Sequence, residues 1–188
     1  MRIISGQYRG RALAAPPGRV TRPTADRVRQ ALFDVLAHAP FAPDLHGARV
    51  IDLFAGSGAL GLEAMSRGAA YCLFVETDEA ARGAIRTNLD TLNLLGAGRV
   101  HRRDATDLGP RPATDGAAFD LAFLDPPYGK GLGEKALAGL LAGGWLAPDA
   151  LCVLERAADE ADPVVDGFEM IDMRRWGPAA VSFLKVSA

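Results

Sequence analysis

From residue 48 onward, short apolar runs alternate with stretches in which apolar residues recur every three or four positions. Arg49-Val-Ile-Asp-Leu-Phe54 reads as a first strand, followed by a glycine-rich turn and a helix near residues 60–67. Ala70-Tyr-Cys-Leu-Phe-Val-Glu76 reads as a second strand, with a helix over 78–93 that turns Ile85, Leu89 and Leu92 inward. A third strand is expected over 100–103 and a fourth at Phe119-Asp-Leu-Ala-Phe-Leu124. A helix over 133–142 and a fifth strand, Leu151-Cys-Val-Leu154, complete the repeat. Near-continuous apolar strands separated by helices predict a parallel sheet covered on both faces. The tail departs from this rhythm. Residues 168–174 and 180–186 are linked only around Trp176-Gly-Pro178, too short for a parallel crossover, so they form an antiparallel hairpin.

The first 40 residues follow another pattern. Residues 2–14 read as two short strands around Gly6-Gln-Tyr-Arg-Gly10, and Pro16-Pro-Gly18 and Pro23 keep the next stretch extended. A helix over 26–37 places Val28, Ala31, Leu32, Val35 and Leu36 on one stripe, with Thr24 or Asp26 serving its first turn. We divide the chain into a basic arm, residues 1–40, and a main α/β domain, residues 41–188.

Charge sharpens that division. Residues 1–30 hold seven arginines and one acid, a net of +6, while the other 158 residues carry a net of −8. Arginine forks pair with phosphate, so the arm is suited to a polyanion and the acidic body to something cationic or neutral. Composition excludes other classes. With 49% apolar and 23% charged residues among 188, the chain has material for a real core. Its longest apolar stretch, residues 136–147, is broken by Gly139, Gly143 and Gly144 and falls short of the roughly 20 residues that span a bilayer. Cys72 and Cys152 each sit in an apolar run and are too few for a disulfide framework, so both are read as buried thiols of a cytoplasmic protein. His38, His46 and His101 show no metal-ligand spacing, and no metal is assigned. A monomer is expected.

Two strand ends carry candidate chemistry. At the first, Asp52-Leu-Phe-Ala-Gly56-Ser-Gly58-Ala-Leu-Gly61 sets three glycines between strand and helix, and Glu76 lies 20 residues beyond Gly56. The spacing matches a dinucleotide fingerprint. A pyrophosphate there would meet the uncompensated carboxylate of Asp52, whereas an ammonium or sulfonium would be attracted to it. Glu76 is placed to take ribose hydroxyls, and Asp104, past the third strand, to accept from an adenine amine. Three acids suit a nucleoside with a cationic amino-acid tail, such as S-adenosyl-L-methionine, better than they suit NAD.

At the fourth strand's end stands Asp125-Pro-Pro-Tyr128. Consecutive prolines donate no N–H, so the turn presents acceptors. A carboxylate, a carbonyl and an aromatic face fit a planar base bearing an exocyclic amine. Tyr128 stacks on its ring, while Asp125 and the Pro126 carbonyl accept the amine hydrogens. Such acceptors orient a delocalised nitrogen lone pair toward a sulfonium methyl and stabilise the positive charge that grows on nitrogen.

With these motifs in place the chain resembles class I AdoMet-dependent methyltransferases, and among them the RsmD-type enzymes that methylate guanine N2 in small-subunit ribosomal RNA. The resemblance runs from Met1-Arg-Ile-Ile-Ser-Gly-Gln-Tyr-Arg-Gly-Arg11 and Arg22-Pro-Thr-Ala-Asp-Arg-Val-Arg29 through the glycine motif and Ser66-Arg-Gly-Ala69 to Asp125-Pro-Pro-Tyr128. Ala25 departs from the pattern, which often carries a second Thr there. The resemblance implies a Rossmann-like, seven-stranded, mostly parallel sheet whose last strand is antiparallel. It implies a cofactor site at Asp52, Phe54, Ala55, Gly56, Ser57, Gly58, Glu76, Thr77, Asp104, Ala105 and Asp125, and a catalytic turn of Asp125, Pro126, Pro127 and Tyr128. Arg9, Arg11, Arg22, Thr24 and Arg27 are the implied RNA contacts, with Tyr8 and Phe33 as candidate stacking partners. The partner implied is ribosomal RNA, naked or in an assembled particle. Rival readings are an adenine-N6 methyltransferase using the same tetrad, or a non-catalytic RNA-binding module or NAD enzyme reusing the glycine loop.

Overall fold

A computed structural model describes residues 1–18 and 23–187, the side chains of Pro23 and Thr24 aside. Seven strands form one sheet: β1 (Arg49–Leu53), β2 (Tyr71–Val75), β3 (Gly98–His101), β4 (Phe119–Leu124), β5 (Leu146–Ala157), β6 (Phe168–Trp176) and β7 (Ala179–Val186). Their order is β3-β2-β1-β4-β5-β7-β6. Ladders from β3 to β5 are parallel, and β7 runs antiparallel to both β5 and β6. The expected seven-stranded sheet with its antiparallel last strand is the one observed.

Strand alternation sorts the core into two layers. Val50, Phe74, Phe123, Val153 and Phe183 face α1 (Pro23–His38), α2 (Ala59–Ser66) and α3 (Glu79–Thr91). Their neighbours Ile51, Val75, Leu124 and Leu154 face α4 (Leu132–Ala142), together with Trp145. Cys72 and Cys152 are buried, one in each layer. Ile3, Leu13, Phe33 and Leu36 share the first layer, so the segments that carry them pack onto the sheet.

Three expectations need correction. The two strands within residues 2–14 reduce to a single antiparallel bridge, Arg2 with Ala12. The Ile3 and Gly10 amides pair across this segment, donating to the Arg11 and Ile3 carbonyls at 3.0 and 2.8 Å, while the loop amides find partners elsewhere. Ile4 and Ser5 donate to the buried Glu63 carboxylate at 2.8 and 3.0 Å, and Tyr8 donates to Ser66 Oγ at 3.0 Å. Phe33 is fully buried, 5.6 Å from the Phe123 ring and under the Arg67 guanidinium, so it belongs to the core and is closed to RNA. Strand β5 extends well beyond residues 151–154 at both ends.

The direction of winding reverses between β1 and β4. The strand order runs outward through β2 and β3 on one side of β1 and through β4 and β5 on the other, which opens a crevice at the carboxyl ends of β1 and β4. Both sequence motifs empty into it.

Candidate active site

Register sets the site before any side chain does. Leu53 pairs with Val75 and with Leu124, and Leu124 pairs with Leu154. The next residues, Phe54, Glu76, Asp125 and Glu155, therefore stand level along one edge of the sheet. Asp52 lies one step below, opposite Phe74 and Phe123.

The glycine loop is shaped for close approach. Gly58 has φ +79° and precedes α2, whose first turn carries no acidic residue. A Cβ on Gly61 would fall 2.5 Å from Cys72 Sγ and from the Phe74 ring, so this glycine serves contact of helix with sheet. Phe54 takes φ +58°, a conformation that costs a non-glycine residue on the order of 1–3 kcal/mol and that clusters at functional sites. Asp52 does not project into the crevice as expected. It is 1% exposed, and its Oδ2 accepts from the Gly61 amide at 2.9 Å. Burial, with Asp125 and Glu76 adding repulsion, raises its pKa well above the ordinary carboxylate value.

Glu76 closes the loop from β2. Its Oε2 accepts from the Gly56 amide at 2.8 Å and its Oε1 from the Asp78 amide at 2.9 Å. Each oxygen keeps a lone pair for a hydroxyl donor. Thr77 is exposed, and its carbonyl accepts from Arg82. Asp104 is exposed, bound at Oδ1 by the Thr106 amide and hydroxyl at 2.8 Å, and those bonds hold its pKa below the usual range. Ala105 is buried in the α4-side core, so its backbone is what it offers a ligand.

These residues fit a cationic nucleoside. Among the described residues, neither Glu76 nor Asp104 enters a salt bridge, and both lie at the carboxyl ends of adjacent strands, with Asp52 sealed beneath the loop. A crevice walled by unneutralised carboxylates favours a positive ligand.

Across the crevice, Pro126 is buried while Asp125, Pro127 and Tyr128 reach solvent, with Tyr128 44% exposed. The Tyr128 hydroxyl donates to Glu155 Oε1 at 2.7 Å, and the Gly129 amide donates to Glu160 Oε1 at 2.7 Å. Sequence reasoning missed both glutamates. For Glu155 a signal existed, a carboxylate directly after the apolar run 151–154, the same one that marks Glu76 and Asp125.

The arm approaches from the glycine-loop side. Asn88, 2% exposed, accepts from the Ala14 amide at 2.7 Å and donates to the carbonyls of Ala14 and Ser57 at 3.0 and 3.2 Å. It joins arm to loop. Ser57 also contacts Met1 Sδ. Arg9, Arg11 and Arg27 are exposed, and Arg11 reaches the Thr91 carbonyl at 3.5 Å. Arg22 and the side chain of Thr24 lie outside the described residues. Arg29 is 5% exposed, donates to the Arg2 carbonyl and pairs with Asp26, so it holds the arm instead of facing solvent.

The family model described as conserved hypothetical protein 95 matches residues 1–185. The chain belongs to that family. Members similar to it include ribosomal RNA small subunit methyltransferase D of Escherichia coli, 42% identical over 88% of this chain and 79% of that one. The Haemophilus influenzae protein of the same name is 37% identical over 85% of this chain and 80% of its own length. A solved Escherichia coli structure described as a methyltransferase, yhhF, superposes with a TM-score of 0.84 at 38% identity, covering 100% of this chain and 98% of that one. The fold is the Rossmann-like fold of class I methyltransferases, and this member of the conserved hypothetical protein 95 family is a methyltransferase.

Proposed function

We propose that the chain transfers the methyl group of S-adenosyl-L-methionine to the exocyclic N2 of a guanine in small-subunit (16S) ribosomal RNA. One observation supports this most. The Asp125–Tyr128 turn and the glycine loop lie on adjacent parallel strands, with Leu53 opposite Leu124, so a base held by the turn faces a ligand held by the loop. The names of the relatives supply the substrate class.

Bound AdoMet supplies an electrophilic methyl on a sulfonium. Glu76 is assigned the ribose hydroxyls, Asp104 the adenine amine, and the Gly56–Gly58 backbone the amino-acid tail, with Asp52 holding the Gly61 amide beneath the loop. Tyr128 offers a ring face to the guanine. Asp125 and the Pro126 carbonyl accept the two N2 hydrogens, turning the lone pair toward the crevice. As the new bond forms, the nitrogen becomes acidic, so its proton passes to Asp125 or through it to water without a strong base. Holding both partners in line contributes roughly 7–11 kcal/mol to lowering the barrier, more than acid–base work of this kind.

The arm, residues 1–40, is assigned to RNA. Arg9, Arg11 and Arg27 are exposed on it, and Arg22 and Thr24 belong to the same stretch. The target amine sits in a stacked base, which must leave its stack to reach Tyr128. We read the enzyme as cytoplasmic and monomeric; among the described residues no helix is long and apolar enough to cross a membrane.

Labelled AdoMet incubated with small ribosomal subunits lacking the mark tests the reading. Digestion to nucleosides is expected to yield labelled N2-methylguanosine. Label on adenine N6 would make this an adenine enzyme, and no transfer to any RNA would end the proposal.

A further inference from the structure

The Asp125–Gly129 turn is gripped from its β5 side by two carboxylates, which take donors on consecutive residues. Glu155 takes the Tyr128 hydroxyl and Glu160 takes the Gly129 amide, both at 2.7 Å. Sheet register sets the first contact, because Leu154 pairs with Leu124 and Glu155 is level with Asp125. The second depends on Arg156. This residue is 3% exposed, donates to the Glu160 carbonyl at 2.6 Å and pairs with Asp162, fixing the loop that carries Glu160.

The turn needs this grip. Pro126 and Pro127 have no N–H, so neither can donate a hydrogen bond that ties the turn to the sheet. The two glutamates engage donors that follow directly after them. The Tyr128 ring is nearly half exposed, and packing alone leaves its plane loosely set. Burial first, then the Glu155 hydrogen bond, raises the Tyr128 pKa, which makes its hydroxyl a poor proton carrier and favours a role in orientation.

We propose that Glu155 is a positioning residue for methyl transfer, fixing the plane of the Tyr128 ring against the target base by accepting its hydroxyl, while Glu160 holds the backbone that follows. The proposal rests on the reading of Tyr128 as the stacking face. A ring tethered at its far end by a hydrogen bond presents its face without a search through rotamers, and displacement by about 1 Å can cost a hundredfold in rate.

Four variants of the full chain test it: Glu155→Ala, Glu155→Gln, Tyr128→Phe, and the double variant Tyr128→Phe/Glu155→Ala. In single-turnover transfer to unmethylated small subunits, Glu155→Ala is expected to slow the reaction about tenfold to a hundredfold while AdoMet affinity stays within about twofold. Glu155→Gln keeps an acceptor oxygen and recovers most of the rate. Tyr128→Phe matches Glu155→Ala, and the double variant is no slower than either single one. Independently of activity, ultraviolet titration of the phenols is expected to show Tyr128 ionising at lower pH in Glu155→Ala. Additive losses in the double variant, a wild-type rate in Glu155→Ala, or a parallel fall in AdoMet affinity and melting temperature would overturn the proposal. If the wild type methylates no RNA, the functional reading fails while the titration still decides the contact: unchanged Tyr128 ionisation sinks it.

Discussion

Asp52 and Asp125 sit on the same face of adjacent strands, yet they are fitted for different work. Asp125 is exposed at the mouth of the crevice, and Asp52 is sealed beneath the glycine loop. Asp125→Ala is expected to cut turnover about a hundredfold to a thousandfold with AdoMet affinity nearly unchanged by calorimetry. Equal loss of both would make Asp125 a cofactor ligand or a structural residue. Burial lets Asp52 keep its proton to higher pH in the folded chain than in the unfolded one. The stability this brings is complete below the ordinary value of 3.8 and disappears as pH rises through the raised folded value. Asp52→Asn does not titrate, so its melting temperature should gain on the wild type as pH rises from about 4. A gap that stays constant over that rise would contradict the assignment. Strand-end carboxylates were legible as a class, since an acid directly after a buried apolar run has few reasons to be there. Which of them is sealed was not legible. That depends on the Gly61 amide reaching Asp52, a contact made only once helix and sheet have docked.

Elements were read well where the hydrophobic period is long and poorly where partners come from far along the chain. Helices α1 to α4 and strands β1, β2 and β4 fall within a few residues of their expected places. The arm pairs antiparallel only around Ile3 and Arg11, because its loop amides go to Glu63 and Ser66, about 58 residues away in sequence. The reach of β5 was missed because the apolar run 151–154 marks only its centre, whereas pairing of Phe119 with Leu146 begins the strand ahead of it. Glu155 carried the strand-end signal, but only the alignment of β4 with β5 brings it to the tetrad, and Glu160 was invisible because the loop that Arg156 holds places it. Asn88 is the most informative single contact between elements, because it joins the arm to the glycine loop. Asn88→Ala leaves the Ala14 amide and carbonyl without their partner and is expected to cost about 1–3 kcal/mol in urea unfolding, along with a measurable loss of AdoMet affinity. Unchanged affinity with lowered stability would confine Asn88 to a structural role.

At the scale of the whole molecule, a net +6 over the first 30 residues stands against −8 over the rest. The acidic body repels phosphate, so RNA is expected to be gathered mainly through the arm. Replacing Arg9, Arg11 and Arg27 together by alanine should lower the slope of log affinity against log salt by roughly 0.7–0.9 for each phosphate that the arm no longer neutralises. An unaltered slope in filter-binding titrations would assign these arginines to another task. The resemblance implied seven strands with an antiparallel last one, while the strand order, and the crevice between β1 and β4 that follows from it, came from the structure. That crevice is the centre of the account. A crystal structure with AdoMet bound tests it most directly. The sulfonium should lie between the glycine loop and the Asp125–Tyr128 turn, with the ribose on Glu76 and the methyl directed at the Tyr128 side. AdoMet bound elsewhere, or with its methyl turned away from Tyr128, would contradict it.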